Sequence, residues 1–90
     1  MYSLTPAQIY AIFETIDFAL EEQLYRIESG ETRKQFADSP PEELEEYARS
    51  QALTWKQIAI AAQEMGFSYP RTLSFLNLSD KWWELAESLQ

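Results

Sequence analysis

The chain contains neither cysteine nor histidine. Without cysteine there is no disulfide, no thiolate metal site and no thiol chemistry, which suits a reducing compartment. Without histidine the commonest general base and metal ligand are missing, as is every Ser-His or Cys-His nucleophile arrangement. Carboxylates are then the main candidates for chemistry. Glu14, Asp17 and Glu21 are spaced for one side of a helix, but the di-iron helix-bundle site needs Glu-x-x-His pairs that this composition forbids. They read as a solvated acidic flank. No paired-carboxylate motif has the spacing diagnostic of a hydrolase. The expectation is therefore a protein with no catalytic residues, no metal and no cofactor.

Positive charge is scarce too. Seven Lys and Arg stand against fifteen Asp and Glu, for a formal net charge of −8. That balance repels phosphate backbones and anionic lipid surfaces, both of which attract clustered Lys and Arg. Direct nucleic-acid binding and membrane binding are not expected, and a basic protein surface is the natural complement. No run approaches the roughly 20 apolar residues that span a bilayer. The opening Met1-Tyr2-Ser3-Leu4-Thr5-Pro6 lacks the basic region and apolar run of a secretory signal, so a cytoplasmic location is expected.

No Gly/Ser/Pro tract divides the 90 residues, and neither a repeat nor a low-complexity segment is evident. One domain, residues 1–90, is expected. A hydrophobic fraction of 46%, with three Trp, five Tyr and five Phe, supplies side chains for its core.

Capping chemistry predicts the helices. Thr5-Pro6-Ala7-Gln8 combines an N-cap hydroxyl, proline at the first helical position and glutamine at the third. It opens a helix over about 6–28, with Gly30 as the left-handed residue beyond its end. Residues 29–38 read as a polar loop. Ser39-Pro40-Pro41-Glu42 starts a second helix over about 40–51, on which Leu44, Tyr47 and Ala48 recur at helical spacing. Thr54-Trp55-Lys56-Gln57 opens a third, closed by Gly66, with Trp55, Ile58, Ala61, Ala62 and Met65 as its core face. A short helix from Ser68–Pro70 to Asn77 should bury Leu73 and Leu76. Ser79 then caps a terminal helix with Trp82, Leu85, Ala86 and Leu89 along one stripe. No strand pattern competes. The fold class is all-α, a single small domain of four to five helices whose long N-terminal helix packs on a compact, helix-turn-helix-like C-terminal part.

Two groups of residues are candidates for binding. At 100° per residue, Ile9, Ile12, Phe13, Ile16, Leu20, Leu24 and Ile27 define one face of the first helix, which should enter the core. On the opposite side Ala11, Phe18 and Tyr25 recur every seven residues, flanked by Glu14, Glu21 and Glu22. Either the helix runs centrally and is covered on both sides, or an aromatic stripe rimmed by acid is exposed, as in an interface with a buried aromatic centre and polar rim. The second group is Glu42, Glu43, Glu45 and Glu46. Carboxylates in a first turn interact favourably with the helix dipole; a dense acidic surface also matches a basic groove on another protein. Ile60 and Trp83 lie off their core stripes and are expected to be partly exposed.

Two resemblances bear on these residues. Ala62-Gln63-Glu64-Met65-Gly66-Phe67 resembles the Ala-x-x-x-Gly-hydrophobic turn of a helix-turn-helix unit, over about a quarter of the chain. Pro70 and Leu73 depart from that pattern, and Arg71 alone in the following helix is basic, so the segment implies a tri-helical packing motif more than a DNA reader. In composition the chain resembles small acidic phage-encoded proteins that block host nucleases or defence complexes. The expectation is an acidic, non-enzymatic regulator, adaptor or inhibitor that binds a protein, homodimers included. A divergent helix-turn-helix transcription regulator and a small oligomerising structural subunit are the alternatives.

Overall fold

A computed structural model describes residues 5–89, so the reading of Met1 to Leu4 lies outside the described residues. Every regular element in it is a helix: α1 (Pro6–Ser29), α2 (Glu31–Gln35), α3 (Pro41–Glu64) and α4 (Tyr69–Glu87).

The start of α1 closes as a capping box. Thr5 Oγ1 accepts from the Gln8 amide at 3.2 Å, and Gln8 Oε1 accepts from the Thr5 amide at 2.9 Å. Its end is Gly30 at φ +83°, a conformation that L side chains resist. The expected loop over 29–38 is in part a further helix, because the Lys34 amide reaches back to the Gly30 carbonyl at 3.1 Å. Glu31 at its start and Arg33 and Lys34 at its end suit the helix dipole. Thr32 is buried, and Arg33 donates to Ser88 Oγ at 2.7 Å, fastening α2 to the end of α4.

Two expected breaks do not occur. The helices placed at 40–51 and from 54 are one, α3, since Ser50 to Leu53 contain neither glycine nor proline. The Thr54 hydroxyl donates to the Ser50 carbonyl at 3.0 Å, bonding within the helix instead of capping a new one. Buried Ala48, Ala52, Trp55, Ala59 and Ala62 recur every three or four residues straight through the supposed junction. Ser39 is not the N-cap: that position is Pro40, which has no side-chain cap. In the same way Ser79 does not start a new helix. It lies inside α4 and donates its hydroxyl to the Ala52 carbonyl at 2.6 Å in the buried seam with α3.

These continuous helices shift the expected core by a residue in places. Ala61 and Met65 are exposed and Ala59 is buried in their stead; Leu73 is 37% exposed while Thr72 and Phe75 point inward. Ile12 is also exposed. Trp82, Leu85 and Ala86 occupy the core, and Leu89 packs against it.

The turn between α3 and α4 sits where the Ala-x-x-x-Gly pattern lies. Gly66 adopts φ +82°, its amide bonds the Gln63 carbonyl at 3.1 Å, and the Phe67 amide bonds the Ala62 carbonyl at 3.0 Å, a Schellman closure. Beyond the turn α4 returns antiparallel to α3. Trp55 stacks with Phe75, Ser79 bonds Ala52, and Tyr47 meets Trp82 edge-on. The small side chains of α3 let the large ones of α4 (Phe75, Leu78, Trp82) interdigitate closely. α1 then lies along this hairpin parallel to α4, with Phe13 against Phe67 and Phe75, Asp17 at Arg71, and Gln23 at Trp82.

Candidate interaction surface

α1 is fastened to the hairpin by one face only. Ile9, Ile16, Leu20, Leu24 and Ile27 pack beside the buried Phe13. Two polar contacts fix its register. Gln23 Oε1 accepts from both Trp55 Nε1 at 2.9 Å and Trp82 Nε1 at 3.0 Å, so one carbonyl oxygen satisfies the indole donors of two helices. Arg71 donates to Asp17 while its guanidinium lies over the rings of Phe67, at 4.9 Å, and Phe13, at 5.9 Å. Asp17 is thereby engaged with Arg71, and no trio of carboxylates is placed to hold a metal among the described residues.

The opposite face of α1 is bare. Phe18 is 68% exposed and Tyr25 64%, and Ala11 is exposed with them. The central-helix alternative, with cover on both sides, is therefore set aside: α1 lies on the outside of the bundle. Glu14 and Glu21 are exposed along one edge of the stripe, and Glu22 along the other forms an i,i+4 pair with Arg26 at 2.9 Å. Tyr10, 61% exposed, is a further aromatic on the outside of α1, beyond the edge that carries Glu14 and Glu21. Sequence reasoning missed it because it falls between the two stripes, one turn before Glu14; its near-perpendicular angle to the core face was the available signal.

The acidic run occupies the beginning of α3. Glu42 and Glu43 lie in its first turn, Glu46 is exposed, and Glu45 accepts from Arg49 at 2.8 Å. Of the candidate carboxylates, Glu22 and Glu45 are thus already paired with arginines, and Glu14, Glu21, Glu42, Glu43 and Glu46 are in no described ion pair. The two groups lie on different helices, joined in sequence through α2. No ion pair or side-chain hydrogen bond among the described residues links them.

Gln23 also escaped sequence reasoning. Its position at the edge of the apolar face, within a chain whose tryptophans need acceptors when buried, was the signal that could have found it.

Ile60 and Trp83 are each close to half exposed. No protein-family model, curated protein or solved structure matches this chain significantly.

Proposed function

We propose that the chain is a non-enzymatic regulator, adaptor or inhibitor that captures a protein with a basic surface, using the outer face of α1 and the acidic start of α3. The observation that carries this reading is the exposure of Phe18 and Tyr25 on a helix whose other side already anchors it to the core. Large aromatics gain nothing for folding when they stand in water, whereas they dominate the energetics of interfaces. Their carboxylate rim supplies the complementary potential that speeds encounter with a basic partner. In its sharper form the protein occupies a nucleic-acid-binding groove, its carboxylates standing where phosphates would.

The chemistry of Arg71 favours this over the DNA-reading alternative. It is the single basic side chain in the first turns of α4, and it is engaged by Asp17 and two aromatic rings.

The test is capture from an extract of the native host, with the immobilised chain compared to its Phe18→Ser/Tyr25→Ser variant and the bound proteins quantified by mass spectrometry. A basic protein retained by the parent and depleted at least about tenfold by the variant is expected, since hot-spot truncation costs about 2 kcal/mol or more. Identical capture by both would refute the assignment of this face.

A further inference from the structure

The outer face of α1 is more than an apolar stripe. Its side chains form two diamonds, each at i, i+3, i+4 and i+7, the arrangement that receives one side chain of a facing helix. The first is Ala11, Glu14, Thr15 and Phe18, and the second is Phe18, Glu21, Glu22 and Tyr25, all of them exposed. Each diamond has an apolar residue at either end. Carboxylates stand at the sides: Glu14 in the first, and both Glu21 and Glu22 in the second. Thr15 completes the first, with its hydroxyl donating to the Ala11 carbonyl at 3.1 Å within α1.

The charges around these diamonds decide what enters them. Arg26 is the single cation of α1, and Glu22 already holds it at 2.9 Å. Arg71, on the inner side, is held by Asp17. Arg33 and Lys81 share a groove with Glu28, past the end of the stripe. Glu14 and Glu21 enter no ion pair among the described residues. A side chain lodged here needs an apolar stem to lie against the rings and a cation to meet the carboxylates, which describes Arg and Lys. Arginine suits the site better, since its planar guanidinium stacks on aromatic faces and pairs bidentately with carboxylates. A second copy of α1 would instead set glutamates against glutamates.

Spacing decides the shape of the occupant. The diamonds repeat after seven residues, about 10.5 Å along the helix axis. Side chains on one face of a strand recur every 6.6 to 6.8 Å or so, about 6.7 Å on average, and cannot fill both diamonds in register. A helix repeats its own side chains at the same interval. Seven-residue columns also drift by about 20° per repeat on a straight helix, a drift that a partner helix crossing at a shallow angle follows. We propose that this face receives one α-helix of the partner, whose two arginines, seven residues apart, lodge in the two diamonds. The proposal rests on the reading of this face as a binding surface and narrows its basic partner to a basic helix. In a nucleic-acid-binding partner, a helix so charged is an element that contacts phosphates, and its capture by α1 excludes the nucleic acid.

Fluorescence anisotropy of the full chain with labelled synthetic helices tests it. One probe is an alanine–glutamine helix of about 20 residues with two arginines roughly two turns, seven positions, apart. The other has the same composition with the arginines about nine positions apart, on opposite sides of the helix. The first should bind at least about tenfold tighter, although the charges are equal. That preference should vanish in Phe18→Ser/Tyr25→Ser and in Glu21→Gln/Glu22→Gln, with circular dichroism showing that both variants remain helical. Equal binding of the two probes, no binding of either at about 1 mM, or a preference that survives Glu21→Gln/Glu22→Gln would overturn it. Should host capture still depend on Phe18 and Tyr25 in that event, the face remains a binding surface and the helical occupant alone is refuted. Self-association of the parent that Phe18→Ser/Tyr25→Ser abolishes, seen by sedimentation, would overturn the proposal in favour of a second copy.

Discussion

At the residue scale, one side chain does more to position α1 than its apolar neighbours suggest. Gln23 is the acceptor for two indoles that are themselves almost wholly buried. Replacing it by leucine keeps the bulk and leaves both donors without a partner, and a buried unsatisfied donor costs roughly 1 to 3 kcal/mol. Gln23→Leu is therefore expected to lower the unfolding free energy by about 2 to 4 kcal/mol, whereas Gln23→Glu, which keeps the acceptor, should cost less. Urea unfolding followed by tryptophan fluorescence checks both. Trp82 bears on the same contact from the other side. It lies 2% exposed between Tyr47 and Gln23, and Trp82→Ala should cost about 3 to 5 kcal/mol, the range for a large buried aromatic. A change below about 1 kcal/mol would mean that the ring is not part of the core.

At the element scale, what was legible in the sequence follows from how local each signal is. The first helix and its closing glycine could be read almost to the residue, because a capping box and a left-handed glycine act within a single turn. Breaks inside α3 and α4 were read where none exist, because Thr54 and Ser79 are ambiguous: either hydroxyl can cap a helix or bond within or beside one. Here tertiary packing decides. The alanine series of α3 and the Ser79–Ala52 bond run through the supposed junctions. α2 was missed since five residues bury too little for a periodic signal, and its helical turn is secured by Arg33 reaching Ser88, 55 positions away. The candidate surface was half legible. Periodicity marked Phe18 and Tyr25 as a second stripe of α1, but whether that stripe is covered depends on how many helices α1 must separate, which no local pattern encodes. One consequence can be measured directly. A long α3 without a break predicts that Leu53→Pro, in its middle, costs about 3 kcal/mol or more by removing a helical hydrogen bond; if the helix were two, the same change near their junction would be nearly neutral. Thermal melting distinguishes these outcomes.

At the scale of the whole molecule, the charge of −8 and the sequestration of Arg71 argue together against a nucleic-acid ligand. No binding to duplex DNA is expected at physiological salt, and a gel shift at submicromolar protein would contradict this. α1 has an inner face that packs on the core and an exposed outer face that we propose serves binding. The most direct test of that division is the unfolding free energy of the Phe18→Ser/Tyr25→Ser variant, from urea denaturation beside the parent chain. Two rings that stand about two-thirds exposed should change it by no more than about 1 kcal/mol, with the helical signal intact. A loss of 3 kcal/mol or more, or an unfolded variant, would show that these aromatics belong to the core and would contradict the account.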